Sequence, residues 1–225
     1  MSKWVLRSCL FFVFALILVN FRWVHAGLAY SISEQSGCNI QLLESAHERV
    51  AQLFGSVESK PLIGCLKTPV LGLGNTIGTT NFAPGLPSII LLNHEGEQLD
   101  VMAHEWAHAE FVQRIGLWHR ELSVPTWFDE GLAMQVDLRE GYQRLALQHL
   151  LTAVGRGQLQ SPHLESLKSP SEFFRTGDQG KLHYAFSRCV VQQLLKENSV
   201  PQLMEQWVQS TPPTQQAQMA CLTSG

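Results

Sequence analysis

The pentapeptide His104-Glu105-Trp106-Ala107-His108 sets two imidazoles four residues apart, with a carboxylate next to the first. On an α-helix such imidazoles lie about 40° apart around the axis and one turn along it, so both can direct a ring nitrogen to one ion. Zinc takes imidazole nitrogen at about 2.0–2.1 Å and, in hydrolytic sites, keeps one position open for water. Glu105, turned by about 100° from His104, misses the ion but reaches that water. The chemistry supported is hydrolysis: the cation brings the water's pKa towards about 7, and the carboxylate takes its proton as a carbonyl is attacked. Two surface histidines on a polar helix face are the plain competing reading. The surroundings speak against it, since Val101, Met102, Ala103, Trp106, Ala107, Phe111 and Val112 make the helix apolar. Imidazoles in such a setting need partners, and a metal provides them.

A third protein ligand is required. The segment Trp127-Phe128-Asp129-Glu130-Gly131-Leu132-Ala133 offers Glu130, with Asp129 as its alternative. With this segment the sequence resembles the gluzincin metallopeptidases, the group that includes thermolysin and the leukotriene-hydrolase-type aminopeptidases. In that group a second helix brings a Glu to the zinc, often within Trp-x-x-Glu-Gly-x-Ala. Here 21 residues separate His108 from Glu130, close to the interval in such enzymes. The resemblance covers residues 88–135 and extends weakly to residues 182–197, where His183-Tyr184-Ala185 opens a helix.

The resemblance implies an α+β, zincin-like fold with a small mixed sheet beside the motif helix and a mostly helical C-terminal half. It implies one Zn2+ held by His104, His108 and Glu130, with Glu105 as general base. It also implies a peptide or protein substrate lying along Ser88–Asn93 as the sheet's edge strand. Tyr184 is the candidate donor to the oxyanion of a tetrahedral intermediate. Two departures matter. Gluzincins of the thermolysin type carry an Asp one helical turn after the Glu ligand to orient a zinc histidine; here Met134 stands there, so that group must come from elsewhere. The Gly-x-Met-Glu-Asn pattern that holds a free amine is absent, which favours an endopeptidase. His94, His119 and His163 lie outside ligand spacing and read as surface or structural groups, while His183 stands beside Tyr184.

Two other readings fit parts of the pattern. Peptide deformylases combine the same His-Glu-x-x-His with a cysteine ligand about 40 residues upstream, where Cys65 stands, but their glycine motif precedes that cysteine. A non-catalytic binding module with a structural zinc would use the same three ligands and give Glu105 no chemical task.

The elements that must position these groups follow from periodicity. Apolar residues spaced by three and four predict a helix over 40–54 closed by Gly55. Ser88–Asn93 reads as a short strand, Gln98–Arg114 as the motif helix closed by Gly116, and roughly Phe128–Arg139 as the helix carrying Glu130. Helices are further expected over 142–154, 182–197 and 202–209, with a long polar connection over 155–181 and a Gln- and Pro-rich tail of partial order. Gly72, Gly74 and Gly78 form no phosphate-binding pattern and read as a turn.

Lys3 and Arg7 precede an unbroken apolar run of 11 residues, Cys9 to Val19, and Val24-His25-Ala26 resembles a cleavage site. A membrane span takes about 20 apolar residues. Residues 1–26 are therefore expected to be a signal peptide, the alternative being an anchor through residues 5–24, and residues 27–225 a single exported domain. Cleavage removes three cations (Lys3, Arg7, Arg22) and no acid, moving the net charge from −3 to −6. Neither value suits a nucleic-acid partner. Export leaves Cys38, Cys65, Cys189 and Cys221 in an oxidising compartment, where three pairings are possible. Cys38–Cys65 with Cys189–Cys221 is the favoured set, because each closes a loop of about 30 residues within one half of the chain.

Overall fold

The computed structural model describes residues 37–66, 77–209 and 214–223. The signal-peptide or anchor expectation, most of the polar leader, and Gly72 and Gly74 lie outside the described residues.

Among them the fold is α+β and mostly helical. Helix α1 (Ile40–Phe54) is followed by strands β1 (Leu62–Leu66), β2 (Gly78–Asn81) and β3 (Ile89–Asn93). Then come α2 (Leu99–Ile115), α3 (Leu117–Ser123), α4 (Thr126–Ala133), a 3-10 turn at Glu140–Tyr142, and α5 (Arg144–Gly155). A second 3-10 turn (Leu164–Leu167) leads through α6 (Pro170–Phe173) and α7 (Gly177–Leu194) to α8 (Val200–Gln209) and α9 (Gln215–Leu222).

The sheet is small and mixed, with strand order β1-β3-β2; β1 runs parallel to β3 and β2 antiparallel to it. This corrects the expectation that Ser88–Asn93 is an edge. The run Ile89-Ile90-Leu91-Leu92 is buried throughout because it is the central strand, covered on both faces, which is why it is continuously apolar rather than alternating. Next to the motif helix the edge strand is β2, which packs on α2.

Helix α2 is buried on nearly every side, from Val101 to Val112 save Trp106, so its apolar character all round is what such a position demands. Helix α1 packs along it from one side, the sheet lies on another, and α4 on a third. Beneath α4 the rings of Trp127, Phe128, Phe111 and Trp207 interlock with centroids 5.0 to 6.0 Å apart. Each fully buried aromatic of this kind contributes on the order of 2–3 kcal/mol from lost water contact.

Several boundaries differ from the sequence expectation. Helix α4 ends at Ala133, six residues early, because the chain turns under the site: Arg188 donates to the carbonyls of Met134 and Asp137, and Arg49 to that of Val136 at 3.0 Å. The connection over 155–181 is not uniformly irregular; it contains the Leu164–Leu167 turn and α6, and α7 begins at Gly177. Helix α3 had no sequence signal beyond the interval between Gly116 and Pro125. The tail is helical over Gln215–Leu222 and tied to α7 by a disulfide. The two disulfides are Cys38–Cys65 and Cys189–Cys221, with Cα separations of 5.1 and 6.0 Å. No helix among the described residues is long and apolar enough to cross a membrane.

Candidate metal centre

Helix α2 presents His104 and His108 one turn apart, and α4 brings Glu130 against them. The three side chains are buried. Their facing atoms form a tight triangle: His104 Nε2 to His108 Nε2 is 3.1 Å, His104 Nε2 to Glu130 Oε2 is 3.3 Å, and His108 Nε2 to Glu130 Oε2 is 3.6 Å. Ligands at about 2.0–2.1 Å around a tetrahedral zinc stand about 3.3–3.4 Å from one another, so this triangle has the dimensions of one face of such a site. Glu130 Oε2 is buried and makes no hydrogen bond. A buried carboxylate oxygen facing two imidazole nitrogens without a hydrogen-bond donor is what a cation would satisfy. The donor set fits zinc. These are the residues that could hold a metal ion.

Gly131 sets how close α4 comes. A Cβ there would stand 2.6 Å from the Ser187 carbonyl oxygen and 2.8 Å from Val191 Cγ2, so only glycine lets α4 lie on α7 at this distance. Its position directly after Glu130 explains the Glu-Gly pair: the ligand sits on the turn whose backbone touches α7.

Asp129 is not a member of the triangle. Its Oδ1 lies 2.8 Å from His108 Nδ1, and its Oδ2 accepts from Arg120 Nε at 2.7 Å and pairs with Nη2 at 2.5 Å. The carboxylate thus fixes the His108 ring with Nε2 towards the centre, as metal-bound histidines require. Asp137 takes the corresponding place behind His104 but makes no hydrogen bond to it, and His104 Nδ1 is buried without a hydrogen-bond partner. Asp137 is wholly buried, with Oδ2 3.6 Å from His104 Nδ1, and the Arg139 guanidinium grips both of its oxygens. The Leu138 amide donates to Asp100 at 3.0 Å, holding this segment against the first turn of α2. The carboxylate missing at Met134 thus stands three residues later, beyond the helix end, at ion-pair rather than hydrogen-bond distance from His104. An Asp–Arg pair stands behind each of the two histidines, hydrogen-bonded to the ring at His108 and not at His104. Asp129 was legible as a neighbour of Glu130; Asp137, Arg139 and Arg120 were not, because the turn after Ala133 and helix α3 place them.

Electrostatics follow. Burial works to lower the pKa of His108, but the Asp129 and Glu130 carboxylates outweigh it and raise it well above its ordinary value. Burial would raise Glu130, yet His108 and His104 hold it far below the usual carboxylate range. Asp129 is lowered in the same way, burial being overcome by His108 and Arg120. Asp129 and Glu130 are thus held ionised opposite the imidazoles.

Glu105 projects from α2 beside this triangle towards β2. The Thr80 hydroxyl lies 2.6 Å from Glu105 Oε2 and 2.9 Å from its backbone carbonyl. Gly78 makes this approach possible, since a Cβ there would meet Glu105 Cγ at 3.1 Å and Leu92 and Val101 at 3.0 Å. Tyr184 from α7 faces the triangle too, its ring centroid 6.3 Å from that of His104. Burial, then the charges of Glu130 and Glu105, raise its pKa well above the ordinary phenol value, so it remains a donor. His183 takes no part: Nδ1 lies 2.7 Å from the Phe173 carbonyl and Nε2 2.8 Å from Gln179. His94 and His163 are exposed, and His119 faces the Trp207 carbonyl at 3.3 Å. Cys65, the ligand of the deformylase reading, has its sulfur bonded to Cys38.

No protein-family model matches this chain, and no match was found among curated proteins or solved structures.

Proposed function

We propose that the protein is an exported zinc-dependent endopeptidase, with His104, His108 and Glu130 as metal ligands. The observation that carries this reading is the buried triangle with an unsatisfied Glu130 oxygen and a second carboxylate, Glu105, next to it in sequence but outside it. A structural site gives that second carboxylate nothing to do. A bound zinc supplies Lewis acidity, making water nucleophilic near neutral pH and polarising the substrate carbonyl.

The chain's own groups divide the remaining work. Glu105 accepts the proton of the attacking water and returns it to the leaving amine; the Thr80 hydroxyl holds Oε2, leaving Oε1 to exchange the proton. Tyr184, neutral because of its raised pKa, donates to the developing oxyanion. Strand β2 pairs with β3 alone among the described residues, so its other edge can take an extended peptide as an added strand. The substrate strand is therefore assigned to β2 rather than to Ser88–Asn93. The two disulfides agree with an oxidising compartment. The reading also draws on the gluzincin resemblance in the two motifs.

Glu105→Gln tests it. The amide is nearly isosteric, so zinc content and circular dichroism should match the wild type, while hydrolysis of casein or a peptide library falls by at least about 10²–10⁴-fold. A zinc-loaded wild type that cleaves nothing, or a variant as active as wild type, would remove the proposal.

A further inference from the structure

A cavity of about 430 Å3 opens between α5 and α7. Its wall carries Tyr142, Arg144, Arg188 and Lys196 with the amides of Gln192 and Gln193, and no carboxylate occurs among the described lining residues. The lining is thus cationic in a chain whose net charge is −3. Several other cations are matched, Arg49 with Asp100, Arg114 with Glu110, Arg120 with Asp129 and Arg139 with Asp137; Lys60, Arg156 and Arg175 also lack an ion pair among the described residues, but none of them lines this cavity. Among the described residues, Arg144 and Lys196 have no carboxylate within ion-pair distance, and Lys196 meets only the Gln193 amide oxygen, at 2.7 Å. Arg188 directs Nη1 to two backbone carbonyls. Its burial lowers its pKa, and Asp137 and Asp100 only partly offset that. A volume of this size accommodates a side chain or chain end, within the usual range for ligand pockets of about 300–1,000 Å3.

The cavity is joined to the reaction site by aromatic contact. The Tyr142 ring that borders it lies 5.7 Å from the Tyr184 ring, which in turn faces His104. Arg188 also holds the carbonyl of Asp137, the residue behind His104.

We propose that this cavity is an anion subsite of the same active site, recognising a carboxylate on the peptide substrate, either an acidic side chain or the C-terminus. The proposal rests on the peptidase reading and names its substrate class. Arg144 and Lys196 supply the discriminating charge, while Arg188 keeps its structural bonds and adds positive potential to the floor. Two exposed charge pairs, each of the usual modest strength, together favour the acidic ligand by about tenfold.

Binding without turnover separates this idea from the reading on which it rests. Zinc-loaded Glu105→Gln protein is titrated by fluorescence anisotropy with labelled octapeptide pools. The pools differ only in a fixed Glu or Gln, or in a free or amidated C-terminus. One acidic pool should bind about tenfold tighter than its neutral partner, and which of the two does so identifies the carboxylate. Arg144→Gln/Lys196→Gln on the same background should erase the difference, and each single substitution should reduce it by about threefold. Both side chains are exposed, so circular dichroism should be unchanged. Equal binding of acidic and neutral pools, or a preference that survives the double substitution, overturns the subsite. Failure of the wild type to cleave any peptide would count against the peptidase reading and leave this comparison intact.

Discussion

Replacing Asp129 by Asn should weaken zinc binding without abolishing it, and should destabilise the metal-free fold. Asp129 Oδ1 sits 2.8 Å from His108 Nδ1, and an asparagine oxygen can still accept that hydrogen bond. What is lost is the negative charge shared by His108 and Arg120, all three groups being largely out of water. Removing a carboxylate that orients a metal-bound histidine typically costs about 10–100-fold in affinity, and the retained hydrogen bond places this variant towards the lower end. The second cost falls on Arg120, whose side chain is 22% exposed and loses its two contacts at 2.5 and 2.7 Å. Breaking a buried ion pair costs about 3–5 kcal/mol. Partial exposure and the remaining Glu121 contact reduce that to about 2 kcal/mol, or a fall in Tm of roughly 4–8 °C for a chain of this size. Zinc affinity by competition with a chromophoric chelator, and Tm in EDTA, measure the two effects separately. If Asp129→Asn binds zinc with wild-type affinity, Asp129 does not orient a ligand. If it loses zinc altogether while Glu130→Ala retains it, the ligand assignment is reversed.

Glu130→Ala should lose most of its zinc at stoichiometric metal yet keep its helical circular dichroism, since one of three ligands is gone; retained metal by elemental analysis would exclude Glu130. Gly131→Ala should destabilise by about 1–3 kcal/mol in urea denaturation and loosen zinc as well, because the new Cβ meets backbone at 2.6 Å and moves Glu130 with its helix. In the metal-free protein, the lowered Asp129 and Glu130 stabilise above about pH 4.5 and lose that contribution as pH falls through their folded values. The raised His108 stabilises fully below about pH 6.5 and loses its contribution as pH rises through its folded value, so stability in EDTA should be greatest between these limits. Urea midpoints from pH 3 to 9 check this, and a maximum above pH 8 would contradict it.

The proposed ligands were legible because their geometry is local. His104 and His108 share a helix face by spacing alone, and Glu130 needed only a second helix beside the first. Glycine after Glu130 was part of the pattern, though its reason, contact with Ser187, is tertiary. The orienting groups were not legible for the same reason in reverse. Asp137 comes within 3.6 Å of His104 only because the chain leaves its helix at Ala133, and that exit is set by Arg49, Asp100 and Arg188 from three other elements. Nothing near residue 137 encodes those partners. The strand order had the same character: the apolar run at 89–92 announces a buried strand, but whether β2 or β1 flanks it depends on pairings between distant segments. Helix α3 is short and lacks a capping signal, so its arginine, which completes the His108 side, went unseen.

The paired aspartates and arginines behind the histidines also fix the formal charge balance of the centre. Asp129 is neutralised by Arg120 and Asp137 by Arg139, which leaves the two glutamates, Glu105 and Glu130, as the uncompensated anions of a buried region. A divalent cation brings that remainder to zero. Without it, two negative charges stand where water screens them poorly, and the region can reach neutrality only by taking up protons. Occupancy by metal and occupancy by protons are thus two solutions to the same electroneutrality condition, so loading the site with zinc must expel protons into solution.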